Sequence, residues 1–400
     1  MKLLSTEICG YKVPLVYELD ESLGLVSLRL VFKNAGKIAC KIPGTAYLLA
    51  RVLEEGAKGD ADFYKKLEIK GIELSVQTGT ESFNISLLCL KEHFAYALNM
   101  LNELLSAPKF EPECFELVKT KTLGYISASK SNLDHQAKLM LNKLIFENHP
   151  FGFSKRGDEE SLAKIELSDV KSFFKENLIL ENLFIVLGGN AKVEELKLDF
   201  ANCLIGEQKH FGNAYIQSDL YKELKMPSEQ AYIYFAAPFH VADDEHYKAK
   251  VATFILGSSG FGSRLMEEIR VKRGLAYSAY AKNTFSLYKS GVFGYLQTKN
   301  ENKDEAIELV KKIFFDFTSQ GIKKAELESA KNFLLGSEAL AKETLFKRLS
   351  IAQYEHYMGY ELGHTDRDLE SIKALSLKEL NAFILAHTEI CSLSFAVIHG

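Results

Sequence analysis

The sequence predicts an α+β protein of two duplicated domains, each a mostly antiparallel sheet with helices packed on one face. Three observations carry that prediction. The 400-residue chain is longer than one hydrophobic core usually serves. Its two halves present the same succession of segments, short strand-like runs followed by long helical patterns. Gly71 and Gly274 stand at matching points of that succession, each closing a helical pattern just before paired strand patterns. The expected domains are residues 1–208 and 229–400, joined over 209–228 by a polar connector that reads as a defined connection more than a floppy tether.

In the first half, alternation over residues 23–31 predicts a strand, and helical spacing over 43–55 a helix stopped by Gly56. A helix over 60–70 ends at Gly71, and strands over 72–78 and 82–90 follow, turned at Gly79. Helices over 91–105, stopped by Pro108, and over 111–130 come next. The apolar runs 183–187 and 251–256 read as buried strand or helix and are far too short to span a membrane. The second half gives a strand over 230–236 and helices over 245–256 and 263–272. Paired strands over 275–285 and 291–298 follow, then helices over 304–319 and 324–341.

Composition excludes several function classes. A chain 47% apolar and 26% charged is an ordinary globular protein. Its 49 basic and 53 acidic residues form no basic stripe with interleaved aromatics, so nucleic acid is not an expected partner. The N-terminus is interrupted by Ser5, Glu7, Gly10 and Lys12 and makes a poor signal peptide. The six cysteines (Cys9, Cys40, Cys89, Cys114, Cys203 and Cys391) have no C-x-x-C spacing and read as reduced thiols of a cytoplasmic protein. The ten histidines include no i, i+4 pair, and no metal is expected to bind this chain.

The most informative stretch is 257–280, GSSGFGSRLMEEIRVKRGLAYSAY. A Gly-rich turn precedes a charged helix; Arg270 falls in its last turn and Tyr277 on the strand beyond the Gly274 cap. The two side chains can converge as a cationic fork and a phenolic donor. Pattern alone favours a plainer reading, a dipole-favoured cation and a strand aromatic covering the core. Arg273 and Tyr280 repeat the spacing as a second pair. The loop lacks the Lys and spacing of a phosphate-binding loop; it reads as a turn capped by Ser263, with Gly260 and Gly262 bordering a cleft.

In the helix PGTAYLLARVLEEGAKG, Leu48, Leu49, Val52 and Leu53 form the core stripe, which puts Tyr47, Ala50, Arg51 and Glu54 on the other face. That face reads as solvated or as a binding surface. Here, and through SRLMEEIRVKRGLAYS, the chain resembles the pitrilysin/insulinase family of zinc metallopeptidases, including the subunits of mitochondrial processing peptidase. The resemblance covers nearly the whole chain and reverses the preference at Arg270 and Tyr277. Family members carry H-x-x-E-H on this helix, two His for zinc and a Glu for the attacking water. The matching positions here read Tyr47, Leu48, Leu49, Ala50 and Arg51, so both imidazoles and the base are missing. The family's third ligand, a Glu, corresponds to the region of Gly124 and Tyr125; Glu116 and Asp134 are the nearest carboxylates.

The resemblance implies that Arg270 and Tyr277 hold the substrate carbonyl and steady the tetrahedral intermediate. It also implies that Leu74, Ser75, Val76 and Gln77 lie on an edge strand able to capture an extended peptide by strand addition. The expected function is that of a zinc-free subunit paired with a homologous zinc-binding peptidase subunit, contributing Arg270 and Tyr277 to peptide hydrolysis. Zinc is expected in the partner and no cofactor in this chain. Two other readings stay open: a structural or peptide-binding protein of the same fold, and a self-sufficient zinc endopeptidase with unconventional ligands.

Overall fold

The computed structural model describes residues 1–200 and 205–400; Cys203 lies outside the described residues. Eleven strands occur among the described residues: β1 Lys2–Ile8, β2 Tyr11–Leu19, β3 Leu25–Lys33, β4 Glu73–Thr78, β5 Ser82–Leu90, β6 Leu183–Gly189, β7 Tyr221–Lys225, β8 Gln230–Ala237, β9 Ala276–Phe285, β10 Ser290–Lys299 and β11 Ser394–His399. The α-helices are α1 Thr45–Leu53, α2 Phe63–Ile69, α3 Phe94–Ser106, α4 Pro112–Ser129, α5 Leu133–Phe146, α6 Glu159–Lys164, α7 Leu167–Asn177, α8 His246–Thr253, α9 Lys303–Gln320, α10 Lys324–Gly336, α11 Glu338–Ala341, α12 Leu345–Met358, α13 His364–Ala374 and α14 Leu377–Ala386.

The α+β class expected from the sequence is what the chain adopts. One sheet runs β1-β2-β6-β3-β5-β4 and the other β7-β11-β8-β10-β9. Leaving out β1, the two orders match strand for strand, and each sheet is antiparallel apart from one parallel pair, β2 with β6 and β11 with β7. The duplication is also legible in the backbone: Gly71 and Gly274 have φ of 62° and 63°, the left-handed conformation that lets each helix stop and turn into an edge strand.

Two compact units follow. The first comprises Met1–Ala128, Ser154–Phe211 and Ala341–His364; the second comprises Ser129–Phe153, Gly212–Leu340 and Thr365–Gly400. They interleave, where the sequence pattern suggests a continuous division at 208 and 229. Each unit takes one helix from the other half of the sequence, α12 in the first and α5 in the second. Within the span 209–228, Tyr221–Lys225 is drawn into the second sheet as β7, because its backbone pairs with β11.

In the first unit, α1, α3 and α7 pack on one face of the sheet in a single apolar core. The opposite face presents Val16, Val31, Phe184 and Val186, all buried, and needs its own cover; α12 supplies Leu345, Leu349 and Ala352. This explains why every residue of β6 is buried, as a continuous apolar run requires. Arg348 fixes the helix by donating from Nε and Nη2 to Glu18 Oε1 at 2.9 and 2.6 Å. Gly188 lets α12 approach closely, since a Cβ there would lie 2.5 Å from Leu349 Cδ1. In the second unit, α5 lies on β8 and β11, and its Asp134 accepts a hydrogen bond from the Tyr234 hydroxyl at 3.1 Å.

His356, also on α12, meets the Phe184 ring edge-on at 4.7 Å. Burial first, and the nearby Lys33 ammonium second, depress its pKa from 6.5 to about 4. An unfolded chain therefore binds a proton at His356 between those values while the folded chain does not. The stability contribution is complete above pH 6.5 and is lost as pH falls toward 4. Thermal unfolding followed over that window is expected to show a steeper fall for the native chain than for His356→Gln.

Candidate functional site

The helix whose positions the resemblance matches to a zinc motif is α1, whose stripe of Leu48, Leu49, Val52 and Leu53 is fully buried. Its other face is only partly solvated: Tyr47 is 8% exposed and Ala50 0%, while the Arg51 and Glu54 side chains keep 32% and 29% of their surface. The Tyr47 ring is covered by two guanidiniums, Arg51 at 5.3 Å and Arg156 at 5.4 Å from its centroid, and Arg156 Nε donates to its hydroxyl at 3.4 Å. Arg156 lies far along the sequence, and so the pattern of the helix alone does not reveal this cover.

Arg51 is turned inward onto protein groups. Its Nη1 pairs with Glu54 Oε2 at 2.5 Å, and its Nη2 donates to the backbone carbonyl of Val76 at 2.6 Å. Glu54 in turn accepts from the Val76 backbone N–H at 3.4 Å. Burial raises the Glu54 carboxyl above its ordinary pKa, opposed chiefly by the Arg51 charge. This position is poorly suited to a dication: it offers a phenol, a methyl group and a cation already paired with Glu54. Gly124 and Tyr125 both lie on α4, the Tyr125 side chain exposed, and neither supplies a strong metal ligand. Among the described residues no group of three or more His, Cys, Asp or Glu could hold a metal ion.

The Arg51–Glu54 pair also bears on strand capture. Leu74, Ser75, Val76 and Gln77 lie on β4, one of the two edge strands of the first sheet. Both main-chain groups of Val76 are taken up by side chains, Arg51 on α1 and Glu54 just after it, so an added peptide strand would have to displace them at that register. Leu74 is buried in the core, while Ser75 and Gln77 line a cleft on the sheet's outer face.

In the second unit, the segment 264–271 is helical, with π-type turns over Met266–Val271. Ser263 Oγ accepts from Met266 N at 3.3 Å and caps its start, after a short turn at Gly260–Gly262 that is exposed. Gly274 N–H bonds the Arg270 carbonyl at 3.0 Å, closing the helix directly before β9. Between Ala276 and Ala279 the β9–β10 register slips, so that Tyr277 and Ser278 both oppose Gln297. This bulge re-aims Tyr277 outward, and it is 80% exposed.

Arg270 and Tyr277 are brought together: the guanidinium carbon stands 4.3 Å from the Tyr277 ring centroid. A second ring, Phe261, lies near the same guanidinium at 4.6 Å. Phe261 escaped the sequence reading, although a large apolar ring between two loop glycines, 64% exposed, is an available signal. Held against two rings, the guanidinium keeps its orientation with N–H groups left for a ligand oxygen. The second pair is not brought together in this way. Arg273 Nη1 is bound to the Glu268 carboxylate and backbone carbonyl at 2.6 and 2.9 Å, and Tyr280 packs beside Tyr295 at 5.8 Å.

Burial pushes the thiols of Cys40 and Cys89 up to about 11, and neither is a nucleophile near neutral pH. Among the described residues no helix is long and apolar enough to cross a membrane.

Comparison with known proteins gives two family-model matches: the insulinase model of peptidase family M16 over residues 38–159 and the peptidase M16 inactive domain over residues 164–334. A Helicobacter pylori protein named non-peptidase homolog YmxG is 40% identical over 402 aligned positions, covering 98% of this chain and 93% of that protein. Among solved structures, a peptidase M16 inactive domain from Pseudomonas fluorescens superposes with a TM-score of 0.87 at 22% identity, covering 100% of this chain and 98% of that one. A protease from Helicobacter pylori superposes with a TM-score of 0.84 at 15% identity, over the whole of both chains.

Proposed function

This chain belongs to peptidase family M16, the insulinase family, and from that premise we propose that it is the zinc-free subunit of a two-chain peptidase. The observation that carries the reading is the contrast between two positions. At the positions the resemblance matches to the metal site, Arg51 pairs with Glu54; at those it matches to the carbonyl-binding pair, a half-buried Arg270 stands against an exposed Tyr277. A homologous partner bearing H-x-x-E-H would supply zinc and the general base. This chain's own residues bind and orient the peptide. The Arg270 guanidinium and Tyr277 hydroxyl donate to the scissile carbonyl oxygen and bind it more tightly as negative charge develops there.

The test is purification of the chain from its native host together with whatever binds it. A homologue carrying H-x-x-E-H is expected, with cleavage of an unfolded peptide by the mixture and by neither subunit alone. Chelator-sensitive hydrolysis by the isolated chain overturns the proposal. The name of the Helicobacter pylori relative favours a second reading, a peptide-binding or structural protein with no part in proteolysis. That reading predicts a purified complex without hydrolytic activity.

A further inference from the structure

The outer face of the first sheet is polar beside the area that α12 covers. There β3, β5 and β4 present a cross-strand row in which Arg29 pairs with Ser86 and Ser86 with Ser75. The row floors a cleft of about 390 Å³, walled on one side by Phe346 and Gln353 of α12.

Arg29 is the centre of this cleft. Its Nη1 spends both hydrogens on neutral acceptors, Ser350 Oγ and Gln353 Oε1, each at 3.0 Å. The remaining edge, Nε and Nη2, has no acceptor among the described residues, and that is the edge with which arginine binds a carboxylate in bidentate fashion. Arg29 forms no ion pair with a described carboxylate, although half-buried cations ordinarily have one. Burial alone pushes its pKa below the ordinary value.

One further polar group in the cleft is buried and unsatisfied, Asn84 Oδ1. Ser27, only 5% exposed, also lines the cleft. A buried acceptor left open beside a desolvated cation matches a ligand that carries one negative charge and its own donors. The single acidic side chain in the cleft, Glu73, is exposed at its rim. Hydroxyls and amides that both donate and accept, spread over three strands, suit the amide groups flanking a carboxylate in a peptide.

We propose that this cleft binds a carboxylate carried by an extended peptide, with Arg29 as the bidentate anchor and Ser27, Ser75, Ser86 and Asn84 taking the adjoining polar groups. The site shares no residue with the Arg270–Tyr277 pair and does not depend on the chain being a peptidase subunit.

Isothermal titration of the full chain with three N-acetylated pentapeptides, Gly and Ser around a central residue, tests it. One carries a central Glu, one carries a central Gln with a free C-terminal carboxylate, and one carries Gln with an amidated end. Either acidic peptide, or both, is expected to bind at least about tenfold more tightly than the neutral one, the margin of one charge-assisted bidentate contact. Which of them binds assigns the carboxylate to a side chain or to a C-terminus. Arg29→Gln is expected to erase the preference and Arg29→Lys to restore only part of it. Ser75→Ala, on the edge strand, should weaken binding several-fold with an unchanged unfolding midpoint, which keeps the test valid if Arg29 variants fold poorly. Equal binding of all three peptides, binding of none at millimolar concentration, or an intact preference in Arg29→Gln overturns the proposal.

Discussion

Arg270→Ala is expected to lower kcat of the reconstituted two-chain peptidase by about 10²–10³, the usual cost of removing one preorganised donor from a developing oxyanion. The loss should fall mainly on kcat, because the contact strengthens as the carbonyl oxygen gains charge; a loss confined to KM would mean simple substrate binding. Tyr277→Phe is expected to cost less, since the ring that stacks on Arg270 at 4.3 Å is kept and only the hydroxyl is lost. Tyr277→Ala removes both and should approach Arg270→Ala. Steady-state kinetics on a peptide substrate decides the matter. Unchanged kcat in Arg270→Ala and Tyr277→Ala would leave the pair without a catalytic part and favour the structural reading.

The largest stability effect is expected at Leu349→Ala, at about 2–5 kcal/mol, as for other leucines removed from full burial. Leu349 is fully buried, seated over Gly188 and surrounded by Val16, Val31, Phe184 and Val186. The change should appear as a lower denaturant midpoint for the first unit. Gly188→Ala alone should also destabilise, because its methyl would overlap Leu349 Cδ1. Together the two changes should cost less than their sum, the alanine methyl entering space that the leucine vacates. Strict additivity would show that the two positions do not share that space.

Much of the fold was legible because it depends on local chemistry. The Gly71 and Gly274 stops required a left-handed residue, and the stripe on α1 required a helical period; both appear where the pattern puts them. The exchange of α5 and α12 was not legible. Periodicity says that a helix has an apolar face but not which sheet that face covers. Strands β1, β2 and β11 also escaped, as did the bulge that turns Tyr277 outward.

At the candidate site the balance is similar. The absence of zinc ligands was written at Tyr47, Ala50 and Arg51, and the Arg270–Tyr277 spacing was readable through the Gly274 cap. What replaces the metal was hidden, because Arg51 and Glu54 act on the backbone of Val76 and Tyr47 is covered by Arg156, all through contacts distant in sequence. Phe261 was legible but missed, a large ring between two loop glycines nine residues before Arg270.

The place of α12 in the first unit sets a timetable for biosynthesis. The N-terminal sheet receives its second cover only from Ala341–His364, so nearly the whole polypeptide must leave the ribosome before that sheet is sealed. Until then Val16, Val31, Phe184 and Val186 form a sticky apolar plate on a nascent chain. Its first unit is completed after nearly all of the chain is made, rather than half by half during translation.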